Sequence, residues 1–291
     1  MPTVKVNGIK LAYELSGDPL GRPLVLIQGL VTQWVGWPDE FCRLLADAGH
    51  RIIRFDNRDV GLSSKLDHLG VPDLDATTAA AGKPHSPPYS LSDMAADTVG
   101  LMDVLGIEAA HVAGVSKGGM IAQVMAIDHH KRVSSLVVMQ STTGEPDLPG
   151  PTPAAMEALM STPPVDRHAY LEYMVGVGRA FSGGSAYFDA DVQRELTRRA
   201  LARSGYLMGF ARQLAAIQAA PGRRQSLTAL KLPALVIHGA CDPLVLPEHG
   251  RDVARTIPGS RLLELDGLGH GMAYPELWPA MTAAIADVTA V

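Results

Sequence analysis

His111-Val112-Ala113-Gly114-Val115-Ser116-Lys117-Gly118-Gly119-Met120 is the stretch on which the reading of this chain turns. A strand-like run, Ala109–Ala113, enters it. A helical stretch, Gly118–His129, leaves it. The Gly-x-Ser-x-Gly pentapeptide therefore falls on a tight strand-to-helix turn. The serine of such a turn has strained backbone, and residues larger than glycine two positions either side would clash, which accounts for Gly114 and Gly118. The turn pushes the hydroxyl out at the carboxyl edge of a sheet. The helix N-terminus beneath it favours developing negative charge. The pentapeptide alone recurs by chance; the strand before it and the helix after it make it specific. Ser116 is the candidate nucleophile.

Outward from this turn, short apolar runs alternate with amphipathic stretches, the mark of an α/β protein with a mostly parallel sheet. Val4–Val6 and Leu11–Glu14 read as an opening hairpin around Asn7-Gly8, a type I′ turn signal. Leu24–Ile27, Arg51–Phe55, Leu136–Met139 and Leu235–His238 are continuous apolar runs, as strands covered on both faces would be. Leu262–Leu265 is a last, shorter strand. Helices are expected over Glu40–Asp47, Leu91–Leu105, Glu248–Thr256 and Pro275–Val288, with Ser90 or Ser92 as the N-cap of the second.

Two segments break the alternation. Lys65–Tyr89, rich in Pro, Ala, Gly and Asp, reads as a long surface loop. Gly144 to about Arg224 opens on a Pro/Gly stretch and then gives helical runs without strand signals. The expected organisation is a core of residues 1–143 and 225–291 with a helical cap, 144–224, inserted over the sheet's carboxyl edge.

Composition narrows the function classes. The chain has 291 residues, is 47% hydrophobic and 19% charged, and carries a formal net charge of −5, which reads as globular rather than disordered. No basic run marks a nucleic-acid or anionic-membrane surface. No apolar stretch approaches the roughly 20 residues of a membrane span. Residues 1–15 carry no basic region followed by an apolar one, so no secretory signal is expected. The two cysteines, Cys42 and Cys241, exclude a disulfide framework, favour a cytoplasmic setting, and read as small buried residues.

A serine nucleophile needs a base, and the base an orienting acid. On this architecture they follow in the order Ser, acid, His. Asp242 lies just past the strand Leu235–His238, and His270, flanked by glycines, lies past the next strand. Strand ends are where such side chains converge over the sheet. Asp266 is the rival acid; chain order and strand-end position favour Asp242. Of the ten histidines, His129 and His130 end a helix, His238 sits within a strand and His85 in the loop. The oxyanion hole is expected from the backbone amides of Lys117, next to the nucleophile, and of Leu30, with Gly29 letting the loop bend toward substrate. Trp34, Met120, Met174 and Leu244 are candidate pocket residues. No metal-ligand spacing or phosphate-binding glycine loop appears, so no cofactor is expected.

Gln28-Gly29-Leu30, Phe55–Ser64, the serine turn, Gly239-x-x-Asp242-Pro243 and Gly269-His270 together resemble the α/β-hydrolase superfamily. Gly36–Phe41, Asp128-His129-His130, Arg132 and Ser134-Ser135-Leu136 carry a closer similarity to bacterial esterases of the aclacinomycin methylesterase type. The resemblance implies an α/β-hydrolase fold, a twisted and mostly parallel sheet flanked by helices with a helical cap. It also implies a Ser116–Asp242–His270 triad acting on a small-molecule ester through an acyl-enzyme, and a supporting, non-catalytic turn at Asp56–Ser64. Two positions depart from the pattern. Gln28 replaces a common histidine but can still anchor the loop by hydrogen bonding. Lys117 replaces Met or Leu. Its ammonium either reaches solvent or a nearby carboxylate, or enters the pocket to bind an anionic or polar acyl group. Three other readings stand beside an esterase. One is lactone hydrolysis, acyl transfer or perhydrolysis on the same triad. Another is a proline iminopeptidase, with Glu172 and Glu195 as the cap carboxylates it would need. The third is a non-catalytic receptor on the same fold. Oligomeric state is not legible.

Overall fold

Asn7 and Gly8 both take left-handed backbone, with φ of 47° and 76°, as a type I′ turn requires. They join β1 (Thr3–Val6) to β2 (Ile9–Gly17) in the expected hairpin. The computed structural model describes residues 1–74 and 87–290; residues 75–86 of the Lys65–Tyr89 loop, His85 included, lie outside the described residues. The further strands are β3 (Arg22–Ile27), β4 (His50–Phe55), β5 (Ala110–Val115), β6 (Val133–Met139), β7 (Ala234–Gly239) and β8 (Arg261–Leu265). Among the described residues they form one sheet in the order β1-β2-β4-β3-β5-β6-β7-β8. β2 runs antiparallel to β4, and every pairing from β4 through β8 is parallel.

The helices are α1 (Asp39–Asp47), α2 (Leu91–Val104), α3 (Lys117–Asp128), α4 (Pro153–Met160), α5 (Arg167–Phe181), α6 (Ala190–Arg203), α7 (Gly209–Gln218), α8 (Arg224–Leu227), α9 (Pro247–Thr256) and α10 (Trp278–Val288). The last begins as a 3-10 turn, Pro275–Leu277. Ser90 caps α2: its hydroxyl accepts from the Asp93 amide while Asp93 reaches back to the Ser90 amide, so two otherwise unpaired end donors are satisfied reciprocally.

The apolar runs are continuous because both sheet faces are covered. Leu24 and Leu26 of β3 pack with Phe41 and Leu45 of α1 and with Trp278, Met281 and Ile285 of α10. Val25 and Ile27 point the other way, to Met94 and Leu101 of α2, Ile121 and Met125 of α3, and Val253 of α9. Each of these side chains contributes roughly 1.5–3 kcal/mol by leaving water.

This topology positions the site. Strand order reverses at β3, which pairs with β4 on one side and β5 on the other. Side chains at the carboxyl ends of strands around such a switch point line a crevice. Ile27 of β3 is in register with Gly114 of β5, so the loop starting at Gln28 and the turn holding Ser116 leave the sheet side by side. Between β6 and β7 the chain forms α4 to α8, with no strand among the described residues.

Cys42 is buried, but Cys241 is partly exposed, which corrects the expectation of two buried thiols. It sits on the turn that carries the chain out of β7. No helix among the described residues is long and apolar enough to cross a membrane. No cluster of His, Cys, Asp and Glu among them could hold a metal ion.

Candidate active site

Ser116 takes φ 55° and ψ −122°, a conformation costing about 1–3 kcal/mol that persists only where neighbours over-determine it. They do. The Ser116 amide donates to Met139 O at 2.9 Å, and its carbonyl accepts from Gly119 N at 2.9 Å and Ser141 Oγ at 2.7 Å. The turn closes only with glycine around it. A Cβ on Gly114 would lie 2.1 Å from Gly118 O, and one on Gly118 would lie 2.0 Å from Ile27 O. Both are backbone atoms that cannot step aside.

Asp242 and His270 converge from the ends of β7 and β8. Asp242 Oδ1 accepts the amides of Leu244 at 3.0 Å and Val245 at 2.8 Å. Its Oδ2 accepts from His270 Nδ1 at 2.8 Å. That bond puts the proton on Nδ1 and leaves Nε2 free as an acceptor. Asp266 is exposed; Asp242 holds the histidine. The His270 loop is clamped by Gln140, whose Oε1 accepts from Gly271 N–H at 2.7 Å and whose Nε2 donates to Gly271 O at 3.0 Å. Phe181, at the end of α5, sets its ring edge-on to His270 at 6.0 Å, and its carbonyl accepts the His270 amide. Helix α5 thus abuts the candidate base directly.

His238 is only half satisfied. Nε2 lies 2.7 Å from Val245 O, while Nδ1 has no partner among the described residues. Burial pushes its pKa down against the attraction of Asp242, and its 3.8 Å approach to Asp242 is too long for a hydrogen bond.

The candidate oxyanion donors are unspent. Lys117 is the first residue of α3, where a helix leaves its N–H groups unpaired. Among the described residues neither its amide nor that of Leu30 donates to a protein acceptor. Gln28 anchors the loop through Oε1, which accepts from Gly29 N–H at 3.1 Å. A Cβ on Gly29 would sit 3.3 Å from Ser116 Cβ, so glycine keeps the approach to the nucleophile clear.

The Lys117 side chain does not take the route to solvent that one sequence expectation allowed: it is 1% exposed. Its Nζ donates to the neutral Oε1 of Gln213, on α7, at 2.6 Å. Burial pushes its pKa far down, against a weaker attraction from Asp59. Among the proposed pocket residues, Trp34 lies between the guanidiniums of Arg54 and Arg203, at 4.4 and 4.5 Å. Met120 is packed in the core beneath α3. Met174 and Leu244 are partly exposed. A hollow of about 380 Å³ within the α4–α7 segment is lined by Pro164, Tyr170, Leu201 and Leu207 among others, and by none of Ser116, Asp242 and His270.

Sequence reasoning missed Gln140, Ser141, Gln213 and the buried ion pairs. Arg203 pairs with Asp56 at 3.0 Å and Arg212 with Asp59 at 2.9 Å, bolting α6 and α7 to the Asp56–Ser64 turn. A signal existed for Gln140, a polar residue ending the apolar run of β6. None existed for Gln213.

Comparison with known proteins bears on this geometry. A family model described as alpha/beta hydrolase fold matches residues 22–276. The chain is 32% identical over 314 aligned positions to a rhodomycin D methylesterase of Streptomyces peucetius, spanning 100% of this chain and 99% of that protein. It is 28% identical over 269 positions to a 2-hydroxy-6-oxononadienedioate/2-hydroxy-6-oxononatrienedioate hydrolase of Paraburkholderia phymatum, spanning 91% of this chain and 86% of the other. Among solved structures, an enol-lactonase from Burkholderia xenovorans LB400 superposes with a TM-score of 0.71 at 26% identity, covering 99% of both chains.

Proposed function

This chain belongs to the α/β-hydrolase family, and from that premise we propose that it is a serine esterase whose nucleophile is Ser116, whose base is His270 and whose orienting acid is Asp242. The observation that carries the proposal is the 2.8 Å bond from His270 Nδ1 to Asp242 Oδ2, made past the ends of β7 and β8 in the sheet whose β5 ends at the strained Ser116. Ser116 Oγ attacks the ester carbonyl carbon as its proton passes to His270 Nε2. Asp242 stabilises the imidazolium. The Leu30 and Lys117 amides receive the developing oxyanion, each such donor being worth about 2.7–4 kcal/mol. The tetrahedral intermediate collapses, His270 returns the proton to the leaving alkoxide, and an alcohol departs. Water then attacks the acyl-enzyme, giving its proton to His270, and the acid leaves as Ser116 recovers its hydrogen.

The full-length likeness to a rhodomycin D methylesterase supports a methyl or other small alkyl ester of a bulky apolar acid as substrate. Residues 144–224 act as the cap that covers it, a reading supported by the contact of Phe181 with His270. The likeness to an enol-lactonase supports lactone hydrolysis as the second reading, on the same triad. An iminopeptidase is disfavoured: Glu172 and Glu195 are bound by Arg194 and Arg198 at the surface, which leaves neither to hold a free amine. A panel of aryl-acid methyl esters, lactones and a prolyl-arylamide, with methanol release followed directly, tests the reading. Methanol release abolished by Ser116→Ala is expected. Cleavage of lactones alone, or of the arylamide, would overturn it.

A further inference from the structure

We propose that Lys117 and Gln213 form a buried positioning pair that holds the Val31 backbone, and through it the neighbouring Leu30 amide, in line with Ser116. The inference rests on the assignment of Leu30 N–H as an oxyanion donor. Three contacts converge on the Gln213 carboxamide. Its Oε1 accepts from Lys117 Nζ at 2.6 Å and from Val31 N–H at 2.8 Å. Its Nε2 donates to Arg58 O at 2.8 Å. Turning the amide over would set donor against donor at two contacts and oxygen against carbonyl at the third, so its orientation is determined. The side chains of both residues are buried, Gln213 completely, and an amide in such a place keeps its bonds because losing one costs about 1–3 kcal/mol.

What this amide holds is itself strained. Val31 has φ 44°, left-handed backbone that a β-branched residue adopts only under constraint. Its N–H spends itself on Gln213, while the amide one residue earlier, at Leu30, donates to nothing among the described residues. Pinning the Val31 N–H fixes the Leu30–Val31 peptide plane, which joins the Gly29–Leu30 plane carrying the Leu30 N–H at the single Leu30 Cα, so the hold on one limits the swing of the other. Methionine or leucine at position 117 could fill the space but could not donate. Lysine supplies a second hydrogen bond to Gln213 Oε1 and stops the carboxamide swinging with Val31. The ammonium charge is dispensable, because a neutral amine still has the one hydrogen the contact uses. The nearby carboxylate of Asp59 is occupied by Arg212, Tyr89 and the Leu66 amide. The nucleophile turn, the oxyanion loop and helix α7 thus meet at one side-chain amide.

The test compares Lys117→Met, Gln213→Leu, their double variant and Ser116→Ala on an activated methyl ester. It also measures inhibition by a trifluoromethyl ketone, whose hemiketal with serine carries the oxyanion. Removing a donor outright costs about 100-fold or more, so a misaimed one is expected to lower kcat by about tenfold, with KM unchanged within about twofold. Ketone affinity falls by the same factor as kcat/KM. The double variant is no worse than Gln213→Leu, because both residues act through one contact. Wild-type kcat and ketone affinity in folded Lys117→Met, with Ser116→Ala inactive, would overturn the positioning role alone. Turnover retained by Ser116→Ala would overturn the esterase reading instead. Should Gln213→Leu fail to fold, Lys117→Met, close to lysine in volume, decides.

Discussion

Gln140 and Gly271 exchange two hydrogen bonds, Oε1 accepting from the glycine amide at 2.7 Å and Nε2 donating to its carbonyl at 3.0 Å. This side chain behaves like a neighbouring strand for the single residue after His270. Gln140 is fully buried and has left-handed backbone, φ 48°, so β6 is bent at its end to deliver it. His270 is therefore held from two sides: through its ring by Asp242 and through its backbone by Gln140.

Gln140→Leu keeps the volume and removes both bonds. The His270 loop loses its clamp, and a misplacement of about 1 Å at a catalytic group costs about 100-fold. Steady-state kinetics are expected to show turnover slowed by about one to two orders of magnitude, with little change in KM. Wild-type turnover in the folded variant would show that Asp242 alone fixes the histidine.

The Arg212–Asp59 pair should dominate the attachment of α7. Burial pushes the Asp59 pKa up, but hydrogen bonds from Arg212, the Leu66 amide and Tyr89 outweigh it, and the carboxyl stays below its ordinary value. Arg212→Met would strand that buried charge at a cost of about 3–5 kcal/mol. Urea unfolding should record this loss, and Asp59→Asn in the same chain should recover part of it, since the two residues share one interaction. Equal, additive losses would contradict the pairing.

Acid sensitivity is expected from the histidines under the sheet. Burial, with smaller contributions from His50 and Arg22, pushes His111 down to about 4. Burial also lowers His50, whose ring meets His111 edge-on at 6.4 Å. Unfolded histidine titrates near 6.5, so below that pH the unfolded chain takes up protons the folded one refuses. Stability is full above about pH 6.5, falls as pH drops toward 4, and levels off there for this group, at most about 1.4 kcal/mol per pH unit for one histidine. His111→Gln should flatten the slope of urea-derived stability across that window. An unchanged slope would remove His111 as the cause.

The parts legible in the sequence were those written in local pattern. Asn7-Gly8 specified a turn, the apolar runs specified doubly covered strands, and Gly114 and Gly118 specified the tight turn at Ser116. Asp242 was separable from Asp266 because strand ends dictate what can meet over a sheet. The remainder depends on partners far apart in the chain. Arg203 and Asp56 are 147 residues apart, Arg212 and Asp59 153, and Lys117 and Gln213 96. No local signal tells a helical arginine that it will be buried against a core aspartate. Trp34 shows the same limit: the guanidiniums of Arg54 and Arg203 that lie over its ring come from distant segments of the chain. Lys117 could be singled out as unusual from sequence, but only the position of α7 gives it a partner.

The central claim is that Ser116 is the nucleophile, and covalent labelling with a fluorophosphonate followed by peptide mass mapping addresses it most directly. The account predicts a single adduct on the peptide carrying Ser116, formed at a rate cut by several orders of magnitude in Asp242→Asn, where the histidine loses the tautomer it needs, and absent in Ser116→Ala. An adduct on another residue, or Ser116→Ala that still labels and still turns over ester, would contradict it.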